Sequence, residues 1–183
     1  MSGVPSNPSN ILIDSLIALR QRSSKGTRFI TFLHLQQALT RSVIVDTVDR
    51  FCSQEYRKPH VIDVILQGSL RVFAVLVLLR QEELILDFIE NLGDQLDNKL
   101  PFEQTQISRI SSKVSDRFCS EVQWELIPHL FPDGGFHRKI MDDVIIPYTK
   151  EVRFDEGSGG EIFECVVAEG QHNFPSKKVR VSS

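Results

Sequence analysis

The feature that most constrains this chain is a change of hydrophobic period near residue 150. Up to Ile127 the apolar residues recur every three or four positions, as in Val61, Val64, Ile65 and in Ile107, Ile110, Val114, Phe118. Beyond Lys150 they alternate with polar ones, as in Val152 and Phe154 and in the β-prone run 161–168. A period of 3.6 buries one face of a helix, and a period of 2 buries one face of a strand. The chain is therefore expected to be mainly α, an irregular helical bundle followed by a C-terminal β-hairpin. The expected division is a disordered leader over 1–8, a helical module over 9–149 and a hairpin over 150–183.

Within the helical part, Ser9 or Asn10 can cap a first helix carrying Ile13, Leu16 and Ile17. A polar, basic connector over 20–28 follows. Leu35, Ala38 and Leu39 continue the helical spacing, and Ser42 is placed to cap a helix with Val45, Val48 and Phe51. After Pro59 the spacing from Val61 to Val77 predicts the most apolar helix of the chain. Its uninterrupted apolar part, 72–79, is too short for a bilayer core, which takes roughly 20 residues, so it reads as a core helix. A helix with Leu84, Ile85, Phe88 and Ile89 should stop at Gly93. The acids Glu82, Glu83, Asp87, Glu90, Asp94, Asp97 and Glu103, set against Lys99 alone, read as a solvated face and an acidic loop, because the spacing of a calcium loop is lacking. Thr105 should cap the helix through Phe118, Trp124 continues apolar burial up to Pro128, and residues 132–135 form a turn. Val179 and Val181 offer the start of a third strand.

Composition removes several classes of function. With 183 residues, 41% hydrophobic, 25% charged and a net charge of −3, the chain is long enough for a core without staples. Cys52, Cys119 and Cys165 are far apart and odd in number, which signals neither a disulfide framework nor a zinc knuckle. No secretory signal pattern opens the sequence, so a reducing, intracellular setting, cytoplasmic or nuclear, is expected. His34, His60, His129, His137 and His172 show no metal-ligand spacing. Arg20, Arg22, Lys25 and Arg28 form a basic patch without interleaved aromatics, so no nucleic acid is expected as a partner, and no membrane.

The sharpest local signal is Gly157-Ser158-Gly159-Gly160 between two strands. Glycines there allow backbone N–H groups to approach phosphates, as in the loop with which protein kinases cover ATP, and the same residues make an ordinary hairpin turn. The remaining kinase chemistry is missing. His137-Arg138-Lys139 has lysine where a catalytic loop needs its aspartate, and it precedes the glycines instead of following them. The run 177–181 gives no V-A-x-K match, and no D-F-G is present.

Several blocks taken together resemble the helical region upstream of the kinase domain in fungal protein kinase-domain proteins. They are residues 64–79, residues 85–89, Leu100-Pro101-Phe102, residues 118–124 with Pro128 and Phe131, Ile145-Ile146-Pro147-Tyr148, the glycine cluster, and Gln171-His172-Asn173-Phe174. The order is the same over roughly 29–174. The resemblance implies that Gly157, Gly159 and Gly160 lie on a vestigial nucleotide loop, with Ile162 and Phe163 on the next strand; the loop-tip aromatic and the last glycine of the family have no counterpart. It further implies a non-catalytic regulatory or interaction module with a protein partner. Exposed parts of the apolar groups around Phe73, Phe88 and Trp124, or the acidic loop, are its expected contact surfaces. No cofactor is expected, since ATP and magnesium require a full kinase domain. Two other readings stay open: a fragment of an ATP-binding serine/threonine kinase whose catalytic part is missing, and a stand-alone helical adaptor.

Overall fold

The computed structural model describes residues 8–132, 142–157, 160–173 and 178–182. The helical part runs α1 (Pro8–Ala18), a small antiparallel pair β1 (Gln21–Arg22) and β2 (Arg28–Phe29), α2 (Phe32–Ala38), α3 (Arg41–Phe51), α4 (Lys58–Gly68), α5 (Leu70–Leu78), α6 (Ile85–Leu92), α7 (Gln104–Ile110), α8 (Ser112–Arg117) and α9 (Gln123–Leu126). A three-stranded antiparallel sheet follows, in the order β3 (Tyr148–Gly157), β4 (Gly160–Val167), β5 (Lys178–Ser182). The architecture is thus a mainly helical, irregular bundle followed by an antiparallel β-hairpin, to which β5 adds a third strand. Among the described residues no single helix is long and apolar enough to cross a membrane.

Helix α5 is the hub. It touches α1, α2, α4, α6 and α9, and Leu70 and Val72 through Val77 are all buried. Its valines are mediocre helix formers, at a cost of about 0.5 kcal/mol each. Burying a Val, Leu or Phe is worth about 1.5–3 kcal/mol, so tertiary packing outweighs propensity here.

The apolar pattern from Val61 to Val77 predicts one helix, but the structure breaks it at Ser69, and α4 and α5 meet at 103°. The break is made by a distant segment. Asp97, in the 3-10 turn Leu96–Lys99, accepts hydrogen bonds from the backbone N–H of Arg71 and of Val72, each at 3.0 Å. Ser69 Oγ donates to the Asp94 carbonyl at 2.9 Å. Gly68 leaves room for the Gln95 amide, whose Oε1 would lie 2.5 Å from a Cβ at that position. Asp97 therefore caps α5 across 25 residues of sequence, a task normally done by the residue just before a helix.

Removing this cap should be costly. Asp97→Ala leaves two helix N–H groups without their acceptor, and a loss of about 2–4 kcal/mol in urea unfolding is expected; a loss below half a kcal/mol would rule out the capping role. The pH dependence has a definite sign. Burial pushes the Asp97 carboxyl up, and the N–H donors of Arg71 and Val72 with the Arg71 charge only partly pull it back. A carboxyl raised in the folded state favours folding most when protonated, so its titration contributes stability below its unfolded value that is lost as pH rises through the folded one. Stability relative to Asp97→Asn should accordingly fall with rising pH across that window.

Candidate functional site

Strands β3 and β4 close on the glycines. Gly157 pairs with Gly160, so two residues connect the strands, the geometry of a tight β-hairpin. Ser158 and Gly159 lie outside the described residues. Asp155, Glu156 and Glu161 flank this turn in sequence, and Arg153, on the incoming strand, pairs with Glu161 at 2.9 Å.

Register separates the faces of the sheet. Cys165 stands opposite Glu151 and Val179, and Phe163 opposite Arg153. The inner side packs Tyr148, Cys165 and Val167 against Phe131, Ile146, Phe163 and Val179. Phe131 stacks on Tyr148 with ring centroids 5.6 Å apart, and the His129 ring meets Phe131 edge-on at 4.6 Å. Burial raises the Tyr148 hydroxyl to about 12 and the Cys165 thiol to about 11. Both shifts favour the protonated form at neutral pH. Burial likewise pushes the Cys119 thiol up. Val152 and Phe154 are about half exposed on the edge strand β3.

The segment after α9 joins this sheet to the helical body. His129 N–H donates to the Ile145 carbonyl and Phe131 N–H to the Gln171 carbonyl, both at 2.9 Å, and Asn173 N–H returns to the Phe131 carbonyl at 3.1 Å. On the other side the β1–β2 turn reaches over: Ser24 N–H donates to the Tyr148 carbonyl, and Ser24 Oγ to Glu151 Oε2 at 2.9 Å. Between them lies an open cavity of about 290 Å³ lined by Ser23, Lys25, Thr27, Asp142, Asp143 and Ile146 among others.

The sequence-predicted residues are placed as follows. Phe73 and Phe88 are fully buried, which corrects the expectation that they offer contact surface. Phe88, Phe102 and Phe118 form an aromatic cluster with centroids 5.6–6.2 Å apart. Trp124 is half-buried, and its Nε1–H donates to the Cys119 carbonyl. The acidic loop is divided: Asp97 works inward as a helix cap, while Glu83, Asp87, Asp94 and Glu103 are exposed. Arg20 in the basic connector pairs with Glu125 at 2.7 Å instead of standing free. His34 contacts Gln21, His60 lies 3.8 Å from Asp94, and His137 lies outside the described residues. Among the described residues no group of three or more His, Cys, Asp or Glu side chains is placed to hold a metal ion.

Sequence reasoning missed Gln123, which is 1% exposed. Its Oε1 accepts from Phe102 N–H at 2.8 Å, and its Nε2 donates to the carbonyls of Phe102 at 3.1 Å and Cys119 at 3.0 Å. A turn of π-helix, Phe118–Val122, precedes it. Polar and charged residues surround it in sequence, Ser120, Glu121 and Glu125 among them, so nothing local marks Gln123 as the buried one. No family model, curated protein or solved structure matches the chain.

Proposed function

We propose that the chain is a non-catalytic helical module that acts by binding another protein, of the kind that precedes the kinase domain in fungal kinase-like proteins. The observation that carries this reading is the pairing of the blocks on which the resemblance rests. Leu100-Pro101-Phe102 is held by Gln123 from the block 118–124, Phe118 and Phe88 close on Phe102, and Phe131 bonds Gln171 and Asn173. The exposed carboxylates Glu83, Asp87 and Asp94 suit a basic partner, whose binding would weaken with salt.

The acid-flanked hairpin turn supports the absence of nucleotide binding from this proposal. A ligand that binds only the native state raises stability by about 2.7 kcal/mol at a hundredfold excess over its dissociation constant. Thermal unfolding in millimolar Mg-ATP is therefore expected to match unfolding without it. A rise in Tm that saturates with nucleotide, and that disappears on replacing Gly157 and Gly160 by alanine, would overturn the reading in favour of an ATP-binding kinase fragment.

A further inference from the structure

We infer that Tyr56 is a phosphorylation site whose phosphate is held by Arg57 at the expense of Glu90. The chain has two tyrosines, and their situations are opposite. Tyr148 is 8% exposed, whereas Tyr56 is 80% exposed in the turn between α3 and α4, just ahead of the helical N-terminus.

Access alone would make Tyr56 only reachable; its neighbours give a phosphate somewhere to go. The Tyr56 hydroxyl donates to Gln54 Oε1 at 3.1 Å, and Arg57 Nη1 makes a longer contact of 3.4 Å with the same oxygen. The hydroxyl and the guanidinium therefore sit around one atom, within the reach of a phosphate oxygen. The other guanidinium nitrogen, Nη2, pairs with Glu90 Oε1 of α6 at 3.0 Å, with 61% of the Glu90 side chain exposed. Lys58 is held between two carboxylates, Asp49 at 2.9 Å and Glu55 at 2.6 Å, whereas Arg57 pairs with the single carboxylate of Glu90, so Arg57 is the cation more readily drawn to a phosphate. A phosphate carries about −1.5 to −2 charges and three strong acceptors, and it offers a guanidinium a better partner than a single surface carboxylate. Its position before the first turn of α4 is electrostatically favourable as well, although the Glu55 carboxylate next to it opposes part of this gain.

The covalent step requires a separate tyrosine-directed kinase and ATP. Tyr56 Oη attacks the γ-phosphorus, the bond to the β–γ bridging oxygen breaks, ADP leaves and the phenolic proton passes to the modifying enzyme. Transfer of Arg57 from Glu90 to the phosphate would unfasten the α3–α4 turn from α6.

The test uses the full chain with a broad-specificity tyrosine-kinase catalytic domain and Mg-ATP. Tandem mass spectrometry is expected to find phosphate on Tyr56 and none on Tyr148, and Tyr56→Phe should abolish labelling; labelling of Tyr148 in place of Tyr56, or of neither, overturns the inference. A ³¹P titration then reads the capture. The second ionisation of the phosphate should lie roughly half a unit to one unit lower in the folded chain than in urea. That shift should vanish in Arg57→Gln and grow in Glu90→Gln. Equal values in the folded and unfolded chain, or a shift indifferent to both substitutions, would show that Arg57 does not hold the phosphate.

Discussion

Phe88→Ala is expected to lower the free energy of unfolding by about 3–5 kcal/mol. Phe88 is fully buried and belongs to both of the closest ring contacts to α6, stacked on Phe118 at 5.6 Å and edge-on to Phe102 at 6.2 Å. Alanine would remove the ring on which the Leu100-Pro101-Phe102 loop and the π turn converge, and the backbone around Gln123 is too firmly bonded to collapse into the space. A domain is commonly stable by only about 5–15 kcal/mol, so Phe88→Leu, which keeps most of the volume, is the companion variant, with a loss of about 1–1.5 kcal/mol. Urea unfolding followed through the single tryptophan, Trp124, gives the measurement, and an unchanged slope with a lower midpoint is expected. If Phe88 were contact surface, as the sequence suggests, alanine would leave the midpoint where it is.

That correction marks where the sequence is readable and where it is not. Signals that act within one turn of chain are legible. Gly93 ends α6 at φ 82° with its N–H on the Ile89 carbonyl, as a glycine after an apolar helical pattern should, and the switch to period 2 locates the sheet. Helix starts shift by a residue or two: Thr40 in place of Ser42 precedes α3, and Glu103, through a capping box with Gln106, takes the position assigned to Thr105. Features made by distant residues are illegible. Gly68-Ser69 is a local stop signal inside 58–79, but the apolar spacing runs on through it, and the acceptor that stabilises the break is Asp97, which the local pattern assigns to a solvated acidic loop. The connector 20–28 reads as a basic patch, yet it folds into β1 and β2 and places Arg20 on Glu125 and Ser24 on Glu151. The spacing of Leu84, Ile85, Phe88 and Ile89 does not say which of them is covered; Phe102 and Phe118 close over Phe88. For the candidate site the limit is similar. The glycine turn is visible as a hairpin, while the acids around it acquire meaning only once Gly157 and Gly160 are seen to pair.

Gln123→Leu is expected to cost about 2–4 kcal/mol even though leucine matches the volume and suits the apolar surroundings. The side chain satisfies both backbone groups of Phe102, donating to its carbonyl and accepting from its N–H. Leucine would leave those groups buried without partners, at about 1–3 kcal/mol each, and burial of two methyl groups cannot offset that loss. Gln123→Glu separates hydrogen bonding from shape. One glutamate oxygen can still accept from Phe102 N–H, but the other faces the carbonyls of Phe102 and Cys119, to which a carboxylate has nothing to donate. Protonation restores a donor to one of those carbonyls, and both burial and the facing oxygens favour the neutral acid, so the carboxyl should titrate above the ordinary glutamate range. A folded-state pKa raised in this way means stability that is present at low pH and lost as pH rises through it. The deficit of Gln123→Glu relative to the natural chain should therefore be largest at pH 7 and shrink as the pH is lowered toward 5, whereas that of Gln123→Leu should stay constant. Urea midpoints of the three chains at a series of pH values read this directly, and a pH-independent deficit in the glutamate variant would mean that Gln123 fills space without clamping the Phe102 backbone.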